Sequence, residues 1–136
     1  MPRPIILFAC VHNSGRSVAA QAIARHLAAG RVEVRSAGSA PGDGVDPGVA
    51  SVLAGRGLSV VDHSPTLLDR PLVEAADVVV TMGCGETCPV VPGKRYEDWP
   101  VDDPAGRDLV TVRRIVDDIE ARVRALLADI LGASPA

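Results

Sequence analysis

Residues 5–9 form a continuous apolar run that passes directly into CVHNSGRS (residues 10–17) and then into the alanine-rich stretch VAAQAIARHLAAG. An uninterrupted apolar run of this length fits a strand buried on both faces. Residues 16–29 carry helix formers, with Val18, Ala19, Ala22, Ile23, His26 and Leu27 expected on the buried face and Gly30 as the stop. A buried strand, a tight loop and a helix commit the chain to an α/β arrangement, because such a strand needs helices against both of its faces.

The rest of the sequence continues the alternation. Residues 31–36 read as a second strand, residues 37–48 as a Gly- and Pro-rich loop, and Asp46-Pro47 as the start of a helix reaching about residue 56. After an irregular connection, residues 70–76 predict a short helical turn and residues 77–82 a third buried strand. A long loop, GCGETCPVVPG (83–93), leads to a short strand at 95–97 and the loop DWPVDDPAG (98–106). The last helix is marked by Val112, Ile115, Val116, Ile119, Val123, Leu126, Leu127 and Ile130 at helical spacing, with Gly132 ending it. The expected fold is a single three-layer α/β domain over residues 1–136, with a four-stranded parallel sheet and right-handed crossovers. In such sheets ligands bind beyond the carboxyl ends of the strands, so the loops at 10–17 and 83–89 are expected to share one rim.

Composition narrows the partners. Hydrophobic residues make up 47% of the 136, with one Phe, one Trp and one Tyr, so the core is built from Ala, Val, Leu and Ile. The net charge of -3 and the lack of a basic cluster argue against nucleic acid or an anionic membrane as partner. No apolar run reaches the roughly 18 residues of a membrane span, and MPRP does not resemble a signal peptide, so a cytoplasmic protein is expected. Three cysteines in that compartment read as thiols rather than as a disulfide framework.

The loop after the first strand has a distinct chemistry. Backbone N–H groups of Val11, His12, Asn13, Ser14, Gly15, Arg16 and Ser17, at the positive end of a helix, make an anion site, and Arg16 adds a planar fork of donors for a tetrahedral oxyanion. The same field favours thiolate over thiol at Cys10, and Ser17 offers a further hydrogen bond to the sulfur. Alone, Cys10 reads as a small buried hydrophobe, but the C-x5-R-S spacing between strand and helix favours an in-line nucleophile beneath a bound anion. Cys84 and Cys88 have the C-x3-C spacing of half a zinc site, but His12, His26 and His63 are scattered and supply no second pair, so no metal is expected. His63 and Trp99 read as packing or loop-anchoring residues.

CVHNSGRS, RSAG (35–38), DVVVTM (77–82) and DDPAG (102–106) together resemble the low-molecular-weight protein tyrosine phosphatase superfamily across nearly the whole chain. The resemblance implies Asp103, in the Asp103-Pro104 pair, as general acid. Within the superfamily the chain is most similar to arsenate reductases: it has Ala105-Gly106 where phosphatases carry aromatic residues, and two further cysteines in the 83–93 loop. That likeness implies reduction of arsenate to arsenite, with phosphate or sulfate as competing oxyanions. It gives Cys10 as nucleophile, Cys84 as intermediate thiol and Cys88 as the last thiol, with Gly83 and Gly85 supplying mobility and thioredoxin as reductant. The alternatives are transfer of arsenic to mycothiol using Cys10 alone, with mycoredoxin downstream, and a low-molecular-weight tyrosine phosphatase. No cofactor is implied. Some relatives bind potassium beside the loop through Asn, Glu, Ser and Asp, and here Asn13 and Ser36 are joined by Gln21 and Thr66.

Overall fold

The structure is a computed structural model that describes residues 3–83 and 91–132; Cys84 and Cys88, and with them the thiol relay, lie outside the described residues. Its elements are β1 (Ile5–Cys10), α1 (Arg16–Ala28), β2 (Glu33–Gly38), α2 (Pro47–Gly55), α3 (Arg70–Ala75), β3 (Val78–Thr81), β4 (Arg95–Asp98) and α4 (Leu109–Leu131). The four strands form one sheet in the order β2-β1-β3-β4, and all three pairings are parallel. The order reverses at β1, so the carboxyl ends of β1 and β3 flank the crevice where such sheets bind ligands.

Alternation along β1 divides the core. Ile6, Phe8 and Cys10 face a cluster built from α1, α2 and α4, whereas Leu7 and Ala9 face a smaller one containing Leu68 and Val73 of the α3 side. Cys10 is the final residue of β1 rather than the first of the loop, since the ladder continues to its pairing with Gly38. Its side chain is therefore fixed on the face from which α1 rises.

The ends of the helices follow local chemistry. Asp46, Asp69 and Asp108 each accept a hydrogen bond from a backbone N–H in the first turn of α2, α3 and α4, and Gly132 closes α4 in the left-handed conformation. The stop of α1 falls one residue before the expected glycine, because Ala29 itself takes a left-handed conformation (φ 49°) ahead of Gly30.

The buried face of α1 is the main correction. Ser17, Val18, Ala19, Ala20, Gln21, Ile23, Ala24 and Ala28 are buried, while His26 is exposed and Ala22 and Leu27 are half-buried. The helix lies between the sheet and α4, so most of its circumference is covered. Its alanines allow that close approach, which a single amphipathic stripe does not describe. Among the described residues, no helix is long and apolar enough to cross a membrane.

Candidate active site

The loop between β1 and α1 turns its carbonyl oxygens outward. The residue 39–46 segment supplies most of their partners: Ser39 N–H donates to Cys10 O (3.1 Å), Ala40 to Val11 O (2.7 Å), Gly42 to His12 O (2.9 Å) and Asp46 to Ser14 O (2.7 Å). Gly15 O accepts from Ala19 N–H of the helix (2.9 Å), and Asn13 O faces His63 Nε2 at 3.2 Å. With the carbonyls tied back, the N–H groups of Val11, His12, Ser14, Gly15 and Arg16 meet no acceptor among the described residues. α1 also differs from α2, α3 and α4 in having no side-chain cap. A concave row of free donors at the positive end of a helix is an anion cradle.

The thiol lies at the base of this cradle. Cys10 Sγ accepts from Asn13 N–H at 3.3 Å and stands 2.9 Å from Ser17 Oγ. Asn13 Nδ2 donates to the same Ser17 Oγ at 2.8 Å, which leaves the hydroxyl hydrogen of Ser17 free to point at the sulfur. Both neighbours are thus arranged as donors to the sulfur.

Asn13 is the keystone, fully buried and left-handed at φ 50°. Its Oδ1 accepts from Thr66 N–H at 3.0 Å and faces His63 Nε2 at 3.1 Å. Both oxygens in reach of Nε2 are acceptors, so Nε2 carries the hydrogen. This is the loop-anchoring role expected of His63, and Trp99 is likewise a packing residue, tilted against Phe8 with ring centroids 5.7 Å apart.

Burial pushes His63 below its usual value near 6.5; the Asn13 hydrogen bond opposes this and the Arg25 charge reinforces it. Because the folded value lies below the unfolded one, the unfolded chain gains its proton first as pH falls through about 6.5, and this contribution to stability, intact above that pH, is lost below it. His63→Gln keeps a donor at the Nε2 position without a titrating ring. The drop in thermal midpoint between about pH 7.5 and about pH 5.5 is expected to be smaller in that variant than in the parent, as measured by differential scanning calorimetry.

Two glycines make the cradle sterically possible. A Cβ on Gly38, the last residue of RSAG, would stand 2.6 Å from Val11 O, 2.7 Å from Asn13 N and 2.9 Å from His12 C. A Cβ on Gly15 would stand 3.0 Å from Pro104 Cγ, so Pro104 packs on the loop and places Asp103 at its rim. Asp103 is exposed, and its Oδ1 accepts from Ala105 N–H at 3.0 Å. Arg16, the first residue of α1, directs Nη1 to the carbonyl of Val101 (3.4 Å) and lies against Gly83. Cys10, Arg16 and the Asp103-Pro104 pair therefore lie around one loop. The parts the sequence did not signal are Thr66 N–H, Val101 O and the 39–46 segment, which act through backbone atoms that any residue type supplies.

Of the four positions compared with the potassium site of relatives, Gln21, Ser36 and Thr66 line one cavity of about 740 Å³, which His63 also lines. They do not fit that ion. Gln21 and Thr66 bring no charge, Asn13 Oδ1 is already engaged by Thr66 and His63, and the guanidinium groups of Arg25 and Arg35 line the same cavity against one carboxylate, Asp62. Among the described residues, no three His, Cys, Asp or Glu side chains are grouped as a metal site requires.

This cradle, with a cysteine at its base and an arginine at its helix start, defines a phosphatase-type oxyanion site. Residues 5–134 match the low molecular weight phosphotyrosine protein phosphatase family, and the chain belongs to it. Within that family it is similar to a solved Corynebacterium glutamicum thioredoxin-dependent arsenate reductase, with 42% identity and a TM-score of 0.87 over 98% of this chain; the chain spans 64% of that protein's length. An arsenate reductase structure from Archaeoglobus fulgidus is 35% identical with a TM-score of 0.79, covering 90% of this chain and 98% of the other. Arsenate reductase 1 of Bacillus cereus is 34% identical over 124 residues, which is 88% of this chain and 90% of that one.

Proposed function

We propose that this chain is an arsenate reductase that holds arsenate over Cys10 and passes the resulting oxidation through Cys84 and Cys88 to thioredoxin. The observation that carries the choice over phosphatase chemistry is the fate of the aromatic residues. Phe8 and Trp99 are buried against one another, and Tyr96 packs in the smaller cluster with its hydroxyl accepting from Val91 N–H at 2.6 Å. None remains to wall an aryl group beside Ala105-Gly106, while the oxyanion cradle itself is complete. Relatives whose names carry arsenate reduction, at 34% to 42% identity, support the same choice.

In the first step the Cys10 thiolate attacks arsenic, with the loop N–H groups and Arg16 stabilising the charge on the oxyanion, and Asp103 gives a proton to the departing oxygen, which leaves as water. The Cys84 thiolate then attacks Cys10 Sγ, and the S–As bond breaks with its electron pair going to arsenic, so that arsenite leaves. The two electrons gained by arsenic come from the two sulfurs, now a disulfide. Cys88 displaces Cys10 from Cys84, and thioredoxin reduces the Cys84–Cys88 pair.

Cys88→Ser tests the relay. One equivalent of arsenate is expected to trap a Cys10–Cys84 disulfide, seen by mass spectrometry of a non-reduced digest, with no sustained thioredoxin-driven NADPH oxidation. Undiminished turnover in that variant would eliminate the relay. Turnover sustained by mycothiol and mycoredoxin after loss of both Cys84 and Cys88 would instead assign the Cys10-only transferase. Vigorous aryl phosphate hydrolysis with no arsenate reduction would assign a phosphatase.

A further inference from the structure

Arg16 is enclosed from two sides by the loops that follow β3 and β4. Its Nη1 donates to Val101 O at 3.4 Å, a long bond that does not fix the guanidinium by itself. The closer wall is Gly83, the first residue of the 83–93 loop: a Cβ built there would stand 2.5 Å from Arg16 Nη1, 3.1 Å from Cζ and 3.3 Å from Nη2. All three atoms belong to the far end of a flexible side chain. An added methyl group would therefore displace the guanidinium rather than the backbone.

Gly83 also sits at φ +90°, but that feature alone does not explain its place. Gly93 has φ +87° with nothing among the described residues within 4 Å of the point a methyl group would occupy, so among them it needs glycine for the backbone conformation alone. Gly83 needs it for backbone and for space. The group filling that space is the one side chain in the cradle able to grip two oxygens of a tetrahedral anion at once.

We propose that Gly83 is a positioning residue for oxyanion recognition: its missing side chain is the seat of the Arg16 guanidinium, and mobility of the 83–93 loop is not its main role. The inference rests on the reading of the Cys10 loop as an oxyanion site. It also ties the placement of the arginine to the loop that carries Cys84 and Cys88, since the residue bounding the guanidinium is the one from which that loop departs.

The test compares Gly83→Ala with Gly93→Ala in the full chain, using inorganic phosphate binding by calorimetry, kcat and KM for arsenate, and thermal midpoints. Gly83→Ala is expected to weaken phosphate binding and raise KM by about tenfold, the scale of one misplaced charged hydrogen bond, whereas Gly93→Ala stays within about twofold. In an Arg16→Lys background, where no fork remains to be seated, Gly83→Ala is expected to cost less than about threefold. Equal losses in the Gly83 and Gly93 variants, unchanged phosphate affinity in Gly83→Ala, or the same tenfold loss with Lys at position 16 would each overturn the proposal. Failure of the parent protein to bind phosphate would instead remove the oxyanion reading, and the inference with it.

Discussion

Cys10→Ser is expected to lower arsenate reduction by roughly 10⁴-fold or more while leaving phosphate affinity within about threefold. The two halves of this expectation have separate physical causes. The neighbours of Cys10 Sγ are Asn13 N–H and the hydroxyl of Ser17, both arranged as donors, so no base stands there to take the proton of a serine. A serine oxygen also cannot enter thiol–disulfide exchange, so the two-electron step has no substitute route. Binding is different, because the loop N–H groups, the uncapped start of α1 and Arg16 are untouched by the change. Thioredoxin-coupled NADPH oxidation measures the first half and phosphate calorimetry the second. Turnover above about one per cent of the parent would place the nucleophile elsewhere.

The sequence makes legible those parts of the site that depend on residue type over a short span. Cys10, Asn13, Arg16 and Ser17 fall within one turn of loop and the start of one helix, and the Asp46-Pro47 start of α2 and the end of α4 are equally local. α4 reads clearly because only one side of it is covered, so its apolar positions keep helical spacing. α1 reads poorly for the opposite reason: it is buried on most sides, and its alanines, at 19, 20, 22, 24 and 28, blur the stripe. The supports of the loop are hidden differently. Thr66 and His63 reach Asn13 across 53 and 50 residues of sequence, and the bonds from the 39–46 segment use backbone N–H groups that leave no trace in side-chain identity.

Chain topology explains why those distant supports meet. β2 runs parallel to β1 and ends opposite Cys10 at Gly38, so the segment leaving β2 starts beside the Cys10 loop and runs along it. Residues 66–68 then extend past the end of β2, with Gly38 N–H donating to Thr66 O and Leu68 N–H to Gly38 O, both at 2.8 Å. That pairing brings Thr66 N–H to Asn13. The strand that carries Cys10 is thus flanked by backbone from two later segments, and the loop keeps its outward carbonyls because both supply partners. A cradle held in this way by its own backbone is shaped for its anion in advance, which is the preorganisation that makes such donors effective in a transition state.

Gly38→Ala is expected to lower kcat/KM by about 10² to 10³-fold, the scale of losing one or two aimed donors from an oxyanion site. Gly38 is not among the residues with positive φ, so alanine meets no backbone penalty there; the cost is contact alone. The atoms at 2.6 to 2.9 Å from its Cβ are all backbone atoms of Val11, His12 and Asn13, and none can rotate aside. Either the strand end retreats, which strains the Cys10–Gly38 register and the bonds to Thr66 and Leu68, or the cradle shifts and its N–H groups lose their common focus. Overpacking of this kind costs about 1–3 kcal/mol of stability, measurable by urea denaturation. Gly30→Ala is the control, since Gly30 has φ +85° and open space around it and lies at the far end of α1 from the cradle. It is expected to lose stability with kcat/KM unchanged within about twofold. If Gly38→Ala lost only stability as well, the close approach of β2 would be a packing feature and not the template on which the oxyanion loop is set.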